Sequence, residues 1–390
     1  MGGGNGRIVI WGVTALGKYL ADNIVHKNRK RKPLAFVDND PKLNNTCICD
    51  IPVISCDDLG MMANLKEIIV LLAVRNARHI FEILEQLERI PAGRVGIVRH
   101  EVMLSGTGID PWSSDDRILW IAPGKKTNRI IPYIEVNLTD ACNLKCRGCT
   151  HFSSLYEEDS IYPLNAYERD LLKLRHIGRI FRLRLLGGEP FLVKNLDEYI
   201  KTARTIFGES TIEIVTNGLL LTKADGKIMS SIKENDICIS ISLYPPTYKI
   251  KEEIARCLDS CAVLYYFDTG NGEKEITEFY RNLTLHRIHD AEVSGQACSS
   301  ASCTFLRNGR LYKCPFDGLI NDFYQYYQID RKHESGIDLT QDGDVLYERL
   351  KEYALKPTEF CGYCAEKPER IPWSVKADPA LCDWLYQNGR

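Results

Sequence analysis

No apolar run in this 390-residue sequence reaches the length of a membrane span, so no transmembrane helix is expected. An excess of basic charge is also missing. Lys and Arg total 50 against 52 Asp and Glu, a net charge of −2, with none of the basic surplus that marks a nucleic-acid footprint. The first residues, Met-Gly-Gly-Gly-Asn-Gly, lack the charged and apolar regions of a signal peptide. A cytoplasmic protein with neither a membrane nor a nucleic-acid partner is expected. Internal repeats and low-complexity tracts are not evident. Cysteine, by contrast, is abundant, at fifteen. In a long chain with no export signal, clustered cysteines point to metal binding or redox chemistry rather than to a disulfide framework.

A chain of this length is expected to fold as two or three domains. Residues 6–105 alternate short apolar runs with helical ones: Arg7–Trp11, 34–37, 68–73 and 95–98 read as strands, 16–25 and 80–87 as helices. Continuous apolar strands separated by helices mean a parallel sheet covered on both faces, a Rossmann-like unit. Residues 106–129, with Gly106, Gly108, Pro111, Ser113, Ser114, Pro123 and Gly124, read as a linker. From 130 to 290 the β/α alternation returns, with strands at 134–138, 181–186, 212–215 and 237–243 and helices at 167–177 and 196–207. Here polar or glycine-rich motifs follow the C-terminal end of each strand, where parallel barrels build their active sites. Residues 291–390 are short of regular elements and hold six further cysteines.

The first strand of the second region leads into Cys142-x3-Cys146-x2-Cys149. Three thiolates so spaced can hold an iron–sulfur cube with one iron left open to a substrate. The alternative is a zinc site, with His151 the nearest further ligand. Later strands end in Gly187-Gly188-Glu189-Pro190, in Thr216-Asn217-Gly218, and in Ser240 and Ser242. Paired glycines let a backbone approach a ligand, and a carboxylate suits an ammonium group.

Taken together, C-N-L-K-C-R-G-C-T-H-F and the motifs that follow resemble the radical S-adenosylmethionine (SAM) superfamily over about residues 130–290. The resemblance implies a partial (β/α)6 barrel and a 4Fe–4S cluster on Cys142, Cys146 and Cys149. It also implies a SAM site at Gly187, Gly188, Glu189, Pro190, Thr216, Asn217, Ser240 and Ser242, and an electron donor such as flavodoxin or ferredoxin. The position before the third cysteine, usually bulky in that superfamily, is Gly148 here, which leaves the adenine contact unassigned.

Cys298, Gly309, Cys314 and then Cys361-x2-Cys364 are similar to the auxiliary-cluster domains of the same superfamily, in the shortened (twitch) form with one extra 4Fe–4S cluster rather than the larger SPASM form. Zinc is the alternative for four thiolates. Either Cys298 or Cys303 is the first ligand. With Cys298 as ligand, Cys303 is left as a free thiol near the active site and is the candidate catalytic residue. Cys382 is expected to be structural, and Cys47, Cys49, Cys56, Cys238, Cys257 and Cys261 to be packing thiols.

In the first region, Gly12-x-Thr14-x-x-Gly17 between strand and helix is a damaged dinucleotide fingerprint, because Thr14 replaces the glycine that admits a pyrophosphate. Asp38 ends the second strand. The V-D-N-D-P segment with I-P-V-I resembles Rossmann-like domains attached to sugar-modifying enzymes. A radical SAM enzyme acting on a carbohydrate-type small molecule is therefore expected, with epimerisation slightly ahead of dehydrogenation because of Cys303. The alternatives are modification of a ribosomally made peptide and an NAD-dependent oxidoreductase, against which Thr14 argues.

Overall fold

The computed structural model describes residues 6–27, 32–121, 129–157, 160–270 and 274–387. Pro123 and Gly124, counted above in the linker, lie outside the described residues. The chain forms two compact units, Met1–Pro132 and Tyr133–Arg390. Among the described residues no helix is long and apolar enough to cross a membrane.

Among the described residues the first unit is built on seven strands: β1 (Arg7–Trp11), β2 (Ala35–Val37), β3 (Cys47–Ile48), β4 (Ile51–Ile54), β5 (Ile68–Leu72), β6 (Arg94–Val98) and β7 (Ile118–Ile121). They lie in the order β3-β4-β2-β1-β5-β6-β7. β1 pairs in parallel with both β2 and β5, and β5 with β6. The Ile-Ile-Val-Leu-Leu run of β5 is wholly buried, as a central parallel strand covered on both faces requires. The unit is Rossmann-like. β7 falls inside the stretch expected as a linker and adds an antiparallel edge strand against β6. The glycines and prolines around it hid a four-residue strand.

β8 (Ile130–Thr139) leads into the second unit, followed by β9 (Arg179–Gly187), β10 (Thr211–Thr216), β11 (Cys238–Ser242) and β12 (Tyr265–Asp268). β9 to β12 pair in parallel, and β8 lies beside β9. Helices Leu164–Ile177, Leu196–Ile206, Gly226–Glu234 and Lys251–Cys261 intervene, giving the partial barrel. The first of these buries Tyr167, Leu171, Leu174 and Ile177, the face expected from their spacing. β13 (Glu278–Leu283) follows the barrel strands. β14 (Phe305–Arg307), β15 (Arg310–Tyr312) and β16 (Ile337–Asp338) come next, and β17 (Cys364–Pro372) pairs antiparallel with β13. β14 joins β8 in parallel and turns back through β15, so the cysteine-rich third region extends the barrel sheet within the same compact unit.

The barrel strands alternate strictly. On β8, Ile134, Val136 and Leu138 face the helices, while Tyr133, Glu135, Asn137 and Thr139 face inward, and all seven are buried. Arg182 and Arg184 of β9, Glu213 of β10 and Ser240 of β11 share that inward face. The lumen is polar and the shell is apolar.

Candidate active site in the barrel

The cluster loop begins where β8 ends, and the glycine pair of β9 is pressed against it. Gly187 has φ +148°, and a Cβ there would stand 1.9 Å from the Thr139 carbonyl oxygen; one on Gly188 would stand 1.9 Å from that of Ala141. In that close contact the Gly188 N–H donates to Thr139 O and the Glu189 N–H to Ala141 O, each at 2.9 Å. Glycine is required at both positions by the neighbouring backbone.

Glu189 does something other than expected. It is fully buried, and its carboxylate accepts from the Thr216 hydroxyl (2.7 Å), the Asn217 N–H (2.9 Å) and the Phe191 N–H (3.1 Å). Both oxygens are thus used to tie the end of β9 to the end of β10, and the side chain does not line the cavity. Burial pushes its carboxyl up to about 7 against the pull of those three donors. Pro190 opens a short 3-10 turn and is likewise buried away from the cavity. Asn217 reaches the loop directly: its Nδ2 lies 2.7 Å from Asn143 Oδ1 and 3.7 Å from Cys142 Sγ.

A cavity of about 740 Å³ lies over these strand ends. Cys142, Cys146 and Cys149 line it together with Gly187, Gly188, Thr216, Asn217 and Ser242. Ser240 does not. One pleat deeper on the same face of β11, it is fully buried and receives Arg184 Nη2 at 3.4 Å. Burial raises two of the loop thiols, Cys146 and Cys142, the latter to about 12, and the neighbouring cysteine sulfurs add to the rise, so a positively charged group is needed before these two ionise together.

Cys298, Cys314, Cys361 and Cys364 line the same cavity. They arrive from four separate places: the end of helix Ala291–Ala297, the start of helix Pro315–Tyr326, a 3-10 turn, and the first residue of β17. Burial raises Cys298, Cys314 and Cys364, and these thiols interact electrostatically with one another and with Cys361. The ammonium of Lys313, lowered by its own burial, faces them and is held by the carbonyls of Tyr353 and Lys356. Among the described residues no group of three or more His, Cys, Asp or Glu is close enough to hold a single metal ion. A cube of four irons takes its thiolates at its corners, farther apart.

Cys303 does not line the cavity. It sits beside Glu135, Arg184 and Cys298, and burial raises its thiol strongly. Cys382 is exposed, as are Cys47 and Cys49, and Cys238 is buried at the start of β11.

The inward-facing polar residues of the barrel were not singled out in the sequence. Arg182 binds Glu213 at 2.5 Å, and Arg184 reaches the same carboxylate at 3.3 Å, Glu135 at 3.8 Å and the Tyr133 hydroxyl at 3.2 Å. Tyr266 donates to Glu213 at 3.2 Å. Two arginines and two carboxylates balance in charge, as buried ions must. Glu135 and Arg184 form part of the cavity wall. Tyr133 donates to Glu135 Oε1, leaving Oε2 without a protein partner among the described residues. His151, also on the wall, is kept neutral by burial. Asn137 donates its amide to Asp140 at 2.7 Å, so its oxygen faces His151 Nδ1 at 3.1 Å. That places the imidazole proton on Nδ1 and leaves Nε2 as an acceptor. The signal was present in the strict alternation of R-L-R-L and E-V-N-L, which charged residues can follow only in a polar lumen.

In the first unit, the Asp38 carboxylate accepts the Val13 N–H at 2.8 Å, and the Thr14 hydroxyl donates to Ala73 O at 2.7 Å. Both side chains brace the turn after β1.

Residues 136–258 match the family described as the radical SAM superfamily. A GTP 3',8-cyclase of Alkaliphilus metalliredigens is 30% identical over 224 residues, covering 49% of this chain and 66% of that protein. A GTP 3',8-cyclase of Helicobacter pylori (strain HPAG1) is 35% identical over 98 residues, 25% of this chain and 30% of the relative. The chain thus spans less than two thirds of the length of these curated relatives. Among solved structures, BtrN in complex with AdoMet and 2-DOIA is 16% identical with a TM-score of 0.35, covering 63% of this chain and 97% of that one.

Proposed function

The chain belongs to the radical SAM superfamily through the domain at 136–258, and from that premise we propose an enzyme that removes a hydrogen atom from a hydroxyl-bearing carbon of a carbohydrate-type substrate. The superfamily uses a 4Fe–4S cluster and SAM. The loop residues Cys142, Cys146 and Cys149 fit the cluster, being three thiols on one cavity wall with a fourth corner left to SAM. Gly187, Gly188, Thr216, Asn217 and Ser242 are the residues of this chain that meet SAM, with Glu189 holding the strand ends that present them. Cys298, Cys314, Cys361 and Cys364 hold the auxiliary cluster, and Lys313 offsets part of its negative charge. A flavodoxin- or ferredoxin-type donor supplies electrons, and the reducing cytoplasm suits fifteen free thiols.

The observation that carries the reading is the single cavity shared by both cysteine sets, with Glu135, Arg184 and His151 on its wall. When bound, SAM and the two clusters supply an acceptor for the hydrogen atom and an acceptor for one electron. What this chain contributes is hydrogen-bond geometry. Glu135 Oε2 and His151 Nε2 are both acceptors, which suits hydroxyl donors on a sugar. Glu135 takes the hydroxyl proton as the carbon is oxidised, so that C–H and O–H are exchanged for C=O. Arg184, charged at every working pH, stands 3.8 Å from the Glu135 carboxylate.

Cys303 bears on the choice between outcomes. Its raised thiol stays protonated, as a hydrogen-atom donor must, but it stands off the cavity wall. Dehydrogenation is therefore favoured over epimerisation, the reverse of the order drawn from the sequence. The test is turnover with a panel of ring-deuterated UDP-sugars and aminocyclitols under dithionite. Deuterium should appear in 5′-deoxyadenosine with one of them, with a product two mass units lighter than unlabelled substrate. Solvent deuterium on the product carbon would instead make Cys303 the donor. Transfer from a peptide and from none of the sugars would replace the carbohydrate reading with peptide modification.

A further inference from the structure

The third region of the chain returns onto the cluster loop and holds it from several sides. Cys146 and Val375 form an antiparallel bridge, the Arg147 N–H donates to Ser374 O at 2.9 Å, and the Lys376 N–H to Lys145 O at 3.1 Å. Arg147 Nε binds Asp383 at 2.6 Å, and the Trp384 indole donates to the Cys149 carbonyl at 2.8 Å. Phe152, just past the third cysteine, packs into the rings of Phe316, Phe323 and Trp384 at 4.6–5.7 Å. Gly148 lies beneath this segment at φ +72°, and a Cβ there would stand 3.2 Å from both Asp383 O and Ile371 Cδ1. The space a bulky residue would need at 148 is occupied by the returning chain.

One residue of that segment touches sulfur. Trp373, just after β17, points its Nε1–H at Cys146 Sγ, 3.3 Å away. Its ring is fixed: the backbone N–H donates to Thr277 O at 2.8 Å, and the indole stacks on Tyr244 with centroids 5.6 Å apart and planes 16° apart. Tyr244 in turn meets Phe279 edge-on at 5.8 Å. The other two loop sulfurs are treated differently. Cys142 Sγ receives the Leu144 N–H at 3.5 Å and the Asn217 amide at 3.7 Å, and Cys149 itself donates to Ser153 at 3.9 Å. The indole N–H is a donor with no acceptor function, so its partner must supply the electrons. A hydrogen bond to a cluster thiolate withdraws charge from sulfur and favours the reduced, more negative cluster.

We propose that Trp373 is a positioning residue that raises the reduction potential of the iron–sulfur group held by Cys142, Cys146 and Cys149. The inference rests on the assignment of those cysteines in the preceding subsection. It assigns the segment following β17 a role in the electron delivery that begins turnover, beyond the part of Cys364 in the auxiliary site.

The test is an EPR-monitored redox titration of the reconstituted full-length chain and of Trp373→Phe, which keeps an aromatic ring on Tyr244 and removes the donor. The variant should bind the same iron and sulfide and show a more negative midpoint for the loop cluster. The auxiliary cluster should be unmoved. An unchanged midpoint in a fully loaded variant would overturn the proposal. Failure of the underlying assignment reads differently: Cys146→Ala would then retain all of its iron. If Trp373→Phe does not fold, native protein grown with [indole-¹⁵N]tryptophan serves instead. Pulsed EPR of its reduced loop cluster should show a ¹⁵N coupling, and its absence would equally overturn the proposal.

Discussion

The two cysteine sets reach one cavity by opposite routes. Cys142, Cys146 and Cys149 occupy eight consecutive residues of one loop, anchored between the end of β8 and the glycines of β9. Cys298, Cys314, Cys361 and Cys364 are spread over 67 residues and meet only because helix, strand and turn are packed together. A local set can be read from spacing, and in the proposed assignment its three thiols would leave one cluster corner open. A dispersed set of four depends on the fold around it, and in the same assignment would leave no corner open. The contrast predicts different failures when each set is broken.

The largest effect is expected from the loop. Changing Cys142, Cys146 and Cys149 together to Ala should abolish 5′-deoxyadenosine formation and lower iron from about eight to about four per chain. Changing Cys361 and Cys364 to Ala should remove a similar amount of iron, yet leave slow SAM cleavage with dithionite intact while substrate oxidation stops. Iron and sulfide assays with product chromatography check both. Loss of SAM cleavage in the second variant would erase the distinction.

Glu135→Gln is next. Removing the acceptor proposed for the substrate hydroxyl proton should lower substrate turnover about 10²- to 10⁴-fold, with 5′-deoxyadenosine still released in uncoupled fashion. Equal loss of both products would mean that Glu135 serves the fold rather than the chemistry.

Glu189→Ala leaves three buried donors without their acceptor, each unsatisfied group costing about 1–3 kcal/mol. The apoprotein should unfold at clearly lower denaturant, because the ends of β9 and β10 are no longer tied. SAM affinity should fall as a consequence of disorder and recover partly in Glu189→Gln. The smallest effect concerns pH. Burial raises the Glu189 carboxyl to about 7 from an ordinary value near 4.5. The folded apoprotein therefore holds a proton that the unfolded chain releases between those values, and stability contributed by this group falls as pH rises from about 4.5 to about 7. Denaturant midpoints across that range should be flatter in Glu189→Gln than in the wild type.

The barrel and its loop were legible in the sequence because their signals are local: three cysteines, a glycine pair, and strand–helix alternation. Glu189 was legible as a motif residue but not in its role, since one cannot see in a sequence that Thr216 and Asn217 already fill its carboxylate. Ser240 and Ser242 have the same period-two spacing, and only the depth of the barrel separates a wall residue from a buried one. β7 was hidden among glycines and prolines because an edge strand of four residues needs no pattern beyond its pairing with β6. The choice of Cys298 over Cys303 required packing: five residues apart in sequence, one faces the dispersed set and the other the Glu135–Arg184 pair.

The most direct measurement is EPR of the dithionite-reduced, reconstituted chain with and without SAM. Two 4Fe–4S signals are expected, with SAM shifting the one that disappears in the Cys142, Cys146 and Cys149 variant and leaving unmoved the one that disappears in the Cys361 and Cys364 variant. A single cluster, zinc in place of the second, or a SAM-induced shift in the dispersed site would contradict an open loop cluster and a closed auxiliary one sharing a cavity.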